Sequence, residues 1–142
     1  MQQLKIVTSI NAPVAEVWGI IGAVGGVDKW SPIINTCTLS SSADGGLQRT
    51  CSSDKGDLKE RILVLNHDER KLTYAITEQQ FFPIDDLVTA ITVSENEGST
   101  QILTEITYSL REGAPTAQIE SGIKEVYAMS YTGIEQLISQ TV

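Results

Sequence analysis

The spacing of hydrophobic residues divides the chain into stretches of two different periods. Apolar and polar residues alternate from Leu4 to Ile10, which predicts an opening strand. Asn11-Ala12-Pro13 then predicts a helix start, with the proline in the first turn, where its missing N–H group is tolerated. Glycines at 22, 25 and 26 interrupt this helix, so we expect two short helices before Pro32.

The middle of the chain has the two-residue period of strands. The pattern predicts six strands, at about 36–42, 46–53, 57–66, 70–79, 86–94 and 100–110. Because the links between them are short, we expect neighbouring strands to pair antiparallel as a meander. The stretch from Pro115 to about Gln140 has apolar residues at helical spacing and predicts one long amphipathic helix.

The turn signal Asp44-Gly45-Gly46 predicts a hairpin with a three-residue loop at 43–45. This hairpin would place Cys37 and Cys51 opposite each other. Two cysteines do not make a disulfide framework, so free thiols are the expected state and a disulfide is the alternative.

A single helix is too narrow to cover a long twisted sheet. Either large side chains or a cavity must occupy the remaining space. Aromatic residues are only 6% of the chain, and the apolar face of the last helix carries Gly122, Ser130 and Gly133. These small residues favour a cavity between the sheet and the helix.

Composition narrows the class of protein. The 142 residues, 41% of them hydrophobic, fit one domain that spans residues 1–142. Ten basic against 18 acidic residues, with no basic cluster, argue against a nucleic-acid partner. No apolar stretch is long enough for membrane insertion, and the N-terminus lacks the features of a signal peptide, so we expect a cytoplasmic protein, monomeric or homodimeric.

Three motifs occur in a characteristic order: Ser9-Ile10-Asn11-Ala12-Pro13 with Glu16-Val17-Trp18, then Asp28-Lys29-Trp30-Ser31-Pro32, then Tyr131 to Leu137. With them the chain resembles the START/Bet v 1-like (SRPBCC) superfamily. The nearest subgroups are the polyketide cyclase/dehydrase-like proteins and the plant abscisic acid receptors. The resemblance implies an α+β helix-grip fold, in which a curved antiparallel sheet of about seven strands (β-α-α-β6-α) grips a long C-terminal helix around a cavity.

The chain also departs from the receptors. Asn35 stands where they have a ligand-anchoring lysine, and Phe82-Pro83-Ile84 stands in place of their His-Arg-Leu latch. The gate loop around Lys55-Gly56-Asp57 is shorter. Hormone recognition and a phosphatase partner are therefore not carried over to this chain.

Strand parity predicts which side chains face the cavity. It turns Glu60, Ile62 and Val64 inward, together with alternate residues of the three following strands. The inward residues of those strands are Leu72, Tyr74 and Ile76, then Leu87, Thr89, Ile91 and Val93, then Ile102, Thr104, Ile106 and Tyr108. The predicted ligand-binding residues are Asn35, Glu60, Ile62, Tyr74, Ile76, Phe82, Ile84, Leu87, Thr89, Ile91, Thr104, Ile106, Tyr108, Val126, Met129 and Ser130.

Glu60 is the preferred polar group of this set. It is either a solvated carboxylate between Lys59 and Arg61 or a buried group that matches a ligand-contacting glutamate of the receptors. If it is buried, it could exchange a proton or hold a ligand hydroxyl or cation. Glu60→Gln is then expected to change ligand binding with little loss of folding.

Residues for other chemistry are few. The only histidine, His67, lies in a polar turn predicted to be far from the cavity, which argues against Ser-His-Asp and Cys-His arrangements. His67, Cys37 and Cys51 lack the spacing of a zinc site, so neither a metal nor a cofactor is predicted.

Three functions remain open. The favoured one is binding of a small hydrophobic or amphipathic molecule, such as a lipid, polyketide, isoprenoid or aromatic compound. The first alternative is a cofactor-free polyketide cyclase or dehydratase with Glu60 as acid or base, and with Tyr74 or Tyr108 as the other available groups. The second is a closed-core subunit for protein interaction or regulation.

Overall fold

The computed structural model describes residues 1–140. The chain begins with one strand and two short helical segments, continues through six strands and ends in a long helix. In chain order these are β1 (Gln2–Ile10), α1 (Val14–Ile21), a 3₁₀ turn (Val27–Lys29), β2 (Thr36–Ser41), β3 (Leu47–Ser53), β4 (Gly56–Asn66), β5 (Lys71–Glu78), β6 (Ile84–Asn96), β7 (Ser99–Leu110) and α2 (Thr116–Ser139).

The seven strands form one antiparallel sheet in the order β1-β7-β6-β5-β4-β3-β2. Strands β2 to β7 follow one another as a meander, and β1 pairs with β7. The helix α2 packs on one face of this sheet, where its residues Ile119, Ile123, Tyr131 and Ile134 are buried among strand side chains. The predicted α+β class and antiparallel meander are confirmed.

The bounds of the elements agree with the sequence pattern to within two residues. Pro13 is the N-cap of α1, with φ −64° and ψ 142°, and the helix begins at the next residue. Strand β6 begins at Ile84, two residues before the predicted start at residue 86. Its register with β7 shifts between Asp85 and Val88, where the strand has a bulge. Asp86 there has a φ of 55°, a left-handed conformation that aspartate tolerates better than most residues.

A second bulge corrects the predicted inward face of β4. The register with β5 shifts between Ile62 and Val64, so strict alternation ends there. Val64 is 44% exposed instead of facing inward. Glu60, which precedes the shift, is buried as the parity of the strand requires.

The β2–β3 hairpin has the predicted register. Cys37 lies directly opposite Cys51, and residues 43–45 form the loop. Both cysteines are free thiols. Burial raises the pKa of the Cys51 thiol, and the neighbouring Cys37 and Glu60 raise it further, so little thiolate is present at neutral pH.

His67 is an exposed residue of the turn between β4 and β5, as predicted. The sequence did not predict its contact with Trp18, whose indole Nε1 donates a hydrogen bond to His67 Nδ1 at 3.1 Å. The two rings meet edge to face with centroids 5.6 Å apart. The histidine therefore ties helix α1 to the β4–β5 turn.

Two of the small residues on α2 admit close packing instead of leaving space. A Cβ atom on Gly133 would overlap the backbone carbonyl oxygen of Trp30, so only glycine lets this segment lie against the helix. A Cβ on Gly122 would lie 2.7 Å from Cε1 of Phe82. Ser130 lines a cavity between the sheet and α2, and Gly122 lines a second space beside it.

Candidate functional site

A cavity of about 110 Å³ lies between the sheet and α2. The segment from Val27 to Ile34 and the loop at Phe81 and Phe82 complete its wall. Most of the lining side chains are apolar. Eight of the predicted residues line it: Glu60, Tyr74, Ile76, Phe82, Leu87, Ile91, Val126 and Ser130.

A buried ion pair forms the charged part of the cavity wall. Arg49 Nε donates to Glu60 Oε1 at 2.6 Å, and the two side chains are only 7% and 4% exposed. Arg49 Nη1 also donates to the carbonyl oxygen of Val24 at 2.7 Å, and the guanidinium lies 4.9 Å from the ring centroid of Tyr74. The two charges neutralise each other within the wall.

Burial by itself lowers the pKa of the Arg49 guanidinium, but the negative charge of Glu60 more than offsets this effect. The pKa of Arg49 is therefore above its ordinary value, and the arginine stays charged.

Sequence reasoning found Glu60 and missed Arg49. The two residues are direct partners in the β3–β4 register. A signal was present, because the predicted hairpin order places β3 beside β4 and opposite residues of paired strands point to the same face. Recognising the pair required the register, which the local pattern of β3 does not specify.

A chain of hydroxyl groups joins the helix to the sheet. The Tyr127 hydroxyl on α2 is 2.9 Å from the hydroxyls of both Tyr74 and Thr89. One turn further along α2, the Tyr131 and Thr104 hydroxyls are 2.7 Å apart. Tyr127 and Tyr131 line the cavity and were not among the predicted residues, whereas Thr89 and Thr104 lie behind them.

Polar groups also occur where the segment from Val27 to Ile34 meets α2. The hydroxyls of Ser31 and Ser130 are 3.2 Å apart, and both residues are buried. The indole Nε1 of the neighbouring Trp30 is buried without a hydrogen-bond acceptor within residues 1–140. Trp30 is itself one of the residues that line the cavity.

The remaining predicted residues lie elsewhere, and their roles in binding stay predictions. Ile84, Ile106 and Tyr108 pack in a core cluster beneath the first half of α2, while Ile62 packs against the neighbouring cluster. Asn35 and Met129 lie outside the cavity, and Asn35 Nδ2 donates to Asp54 Oδ1 at 3.0 Å.

A second space, the outer groove, adjoins the cavity and measures about 410 Å³. Its wall includes the exposed residues Pro32, Asn35, Asp54, Lys55, Glu125 and Met129. Four side chains line both spaces and therefore lie between them: Ile33, Phe81, Phe82 and Val126.

The side chain of Gln79 holds the loop that carries Phe81 and Phe82. Its Nε2 donates to the carbonyl oxygens of Phe82 at 2.8 Å and Ile84 at 3.2 Å. Its Oε1 accepts hydrogen bonds from the backbone N–H groups of Phe81 and Phe82, both at 2.9 Å. One amide side chain thus satisfies backbone groups that strand pairing does not reach in this loop.

Within the described part of the chain, no three His, Cys, Asp or Glu side chains gather as a metal site requires. No helix there is long and apolar enough to cross a membrane.

The long C-terminal helix packed against a seven-stranded antiparallel sheet defines the helix-grip fold of Bet v 1-like proteins. Ara h 8.0201 has this fold, with a TM-score of 0.80 at 14% identity, over 97% of this chain and 98% of that protein. The chain belongs to the polyketide cyclase/dehydrase and lipid transport family, whose model matches residues 1–137.

Other solved structures share the fold. XoxI from Bacillus cereus matches with a TM-score of 0.81 at 22% identity, over 96% of this chain and 94% of that one. An uncharacterised protein from Bacillus thuringiensis matches with a TM-score of 0.81 at 20% identity, over 95% and 97% of the two chains. A comparison with curated proteins finds no match. The similarity to abscisic acid receptors remains an expectation from the sequence motifs.

Proposed function

We propose that the chain is a single domain that binds a small hydrophobic or amphipathic molecule in the cavity between the sheet and α2. The observation that carries the proposal is the cavity itself, which has a mainly apolar lining and a few polar groups at defined positions. Ligand sites generally combine these two features. Family membership supports the same reading, and the free thiols of Cys37 and Cys51 agree with a cytoplasmic location.

The size of the cavity limits the ligand. Its volume of about 110 Å³ is below the roughly 300–1,000 Å³ of sites for drug-sized ligands. An apolar cavity of about 150 Å³ is known to hold benzene. The cavity therefore suits a molecule of about one ring, whereas a lipid, polyketide or isoprenoid needs the outer groove as well.

Apolar contact alone supports only weak binding. Burial of about 300 Å² of ligand surface contributes about 7 kcal/mol. Association costs at least about 4 kcal/mol, which leaves an affinity in the millimolar range. Tighter binding needs hydrogen bonds from the wall.

The first test is an NMR titration of the protein with toluene. We expect saturable chemical-shift changes at Leu87, Ile91 and Ile123, which line the cavity. Val126→Phe should abolish them, because the larger ring occupies the space. Native mass spectrometry of freshly purified protein then identifies any molecule that is retained.

The matched control is Ala128→Phe, which adds the same ring to an exposed position of the same helix. This variant should bind toluene like the original chain. Absence of saturable changes in the original chain, or equal binding by Val126→Phe, would contradict the proposal.

Phe82→Ala tests whether the loop limits the size of the ligand. Removing the ring should join the cavity to the outer groove and admit N-phenyl-1-naphthylamine, a neutral fluorescent probe of three rings. We expect at least a several-fold rise in probe fluorescence relative to the original chain. Val7→Ala, at a position 59% exposed on β1, is the control and should leave the fluorescence unchanged. Equal fluorescence in all three proteins would show that Phe82 does not limit access.

The cyclase or dehydratase alternative rests on the burial of Glu60 in the cavity wall. The groups around Glu60 offer little support for catalysis. Burial raises the pKa of both Tyr74 and Tyr108, so neither phenol is an effective base near neutral pH. Proton exchange at Glu60 would also leave Arg49 buried without a counter-charge. Turnover of a model polyketide that is lost in Glu60→Gln would favour this alternative.

A further inference from the structure

We propose that the indole N–H of Trp30 is the anchor of the cavity and selects uncharged ligands that carry a hydrogen-bond acceptor, such as a ketone, aldehyde, ester or ether oxygen. The inference rests on the proposed binding function and specifies the chemistry of its ligand. The two tryptophans of the chain differ in the hydrogen bonding of their indole N–H groups.

The indole N–H of Trp18 has an acceptor in His67 Nδ1, whereas the buried indole N–H of Trp30 has none within residues 1–140. Burying a donor without an acceptor is unfavourable, and native structures rarely contain such groups. An indole nitrogen can donate but cannot accept a hydrogen bond. Its missing partner must therefore be an acceptor, and Trp30 lines the space where a ligand would lie.

The backbone of Trp30 is held in place before any ligand arrives. Its N–H donates to the Val27 carbonyl oxygen at 3.2 Å, closing the 3₁₀ turn. Its own carbonyl group lies against α2 at Gly133, where no side chain would fit. A donor on so constrained a segment loses little conformational entropy on binding, which is the condition for an effective anchor.

The adjacent wall adds donor capacity. The Ser31 and Ser130 hydroxyls hold two protons, and the one hydrogen bond between them uses one. The chain of Tyr74, Tyr127 and Thr89 likewise has three hydroxyl protons and two internal hydrogen bonds. A hydroxyl group can both donate and accept a hydrogen bond. These hydroxyls can therefore donate to an acceptor on the ligand, but they do not need one.

Charge excludes ionic ligands. Among the side chains that line the cavity in the described part of the chain, only Arg49 and Glu60 are charged, and they neutralise each other. A carboxylate ligand would have to displace Glu60 from Arg49, and an ammonium ligand would have to displace Arg49 from Glu60. An uncharged molecule leaves this pair intact.

The test compares cyclohexanone with methylenecyclohexane, two molecules of nearly equal shape of which only the ketone has an oxygen acceptor. Each is titrated into the original chain and into Trp30→Phe, followed by NMR. Trp30→Phe should weaken cyclohexanone binding about 5-fold more than methylenecyclohexane binding, because the two ligands lose the same apolar contact and only the ketone loses a hydrogen bond.

A second measurement on the original chain does not depend on the variant. With two tryptophans there are two indole N–H signals, which Trp18→Phe assigns. Cyclohexanone should shift the Trp30 signal downfield and leave the Trp18 signal in place, because that proton is already bonded to His67.

The outcomes separate the two proposals. If both molecules bind but the Trp30 signal does not move, or both lose affinity equally in Trp30→Phe, the anchor is overturned and the binding function stands. A free-protein Trp30 signal already at a hydrogen-bonded position, and unmoved by the ketone, indicates a bound water and also overturns the anchor. If neither molecule gives saturable shifts, the binding function itself fails, and the anchor fails with it.

Discussion

Replacing Glu60 with leucine should lower the free energy of unfolding by about 3–5 kcal/mol, because it leaves the Arg49 guanidinium buried without a counter-charge. The measurement is equilibrium unfolding in urea. The expectation of little loss of folding on substitution of Glu60, formed from the sequence alone, did not include its partner. With Arg49 in direct contact at 2.6 Å, even Glu60→Gln should destabilise the protein measurably.

The double variant Arg49→Met with Glu60→Leu distinguishes charge from packing. Replacing both members of a buried ion pair with apolar groups of similar volume is often neutral or stabilising. We therefore expect the double variant to recover most of the lost stability. Glu120→Gln is a matched control, because it breaks a half-exposed ion pair with Lys124 and should change stability by less than about 1 kcal/mol. A loss below about 1 kcal/mol for Glu60→Leu would mean that water reaches the pair.

Gly133→Ala should destabilise the protein by about 2–3 kcal/mol or more, although alanine favours a helix over glycine by about 1 kcal/mol. The new methyl group would overlap the Trp30 carbonyl oxygen, and this atom belongs to the backbone and has no alternative rotamer. The helix and the Trp30 segment must then separate. Thermal unfolding measures the loss, and the affinity for cyclohexanone should fall with it.

The control for this prediction is Gly19→Ala in α1. Apart from Gly19, its two neighbours and the backbone of its own helix, no heavy atom lies within 4 Å of a Cβ built at Gly19, so only the helix propensity should change stability. We expect Gly19→Ala to be neutral or to raise stability by up to about 1 kcal/mol. Equal effects of the two substitutions would contradict the close contact between α2 and Trp30.

Much of the candidate site follows from strand parity, and its failures have specific causes. Alternation identified Tyr74, Leu87 and Ile91, which line the cavity. It failed at Val64, because a bulge shifts the register of β4 after Ile62. Local sequence does not reveal such a bulge, since the extra residue is accommodated by the pairing with β5.

The helix shows a different limit of sequence reasoning. Helical spacing identified Val126 and Ser130 as lining residues, but it also treated Gly122 and Gly133 as empty space. Phe82 and the Trp30 backbone occupy those positions, and both are distant from α2 in the sequence. The spacing of a helix shows where small residues lie. It does not show which other segment of the folded chain packs against them.

By itself, the sequence of this protein determined the order and period of its elements, the antiparallel meander and the inward parity of Glu60, because these depend on short-range spacing and short links. Only the tertiary structure decided that Arg49 neutralises Glu60, that the cavity is about 110 Å³ in size and that the Trp30 indole N–H lacks an acceptor. Each of these depends on side chains far apart in the chain meeting at one point. Contacts of this kind follow from register and packing, which no local pattern encodes.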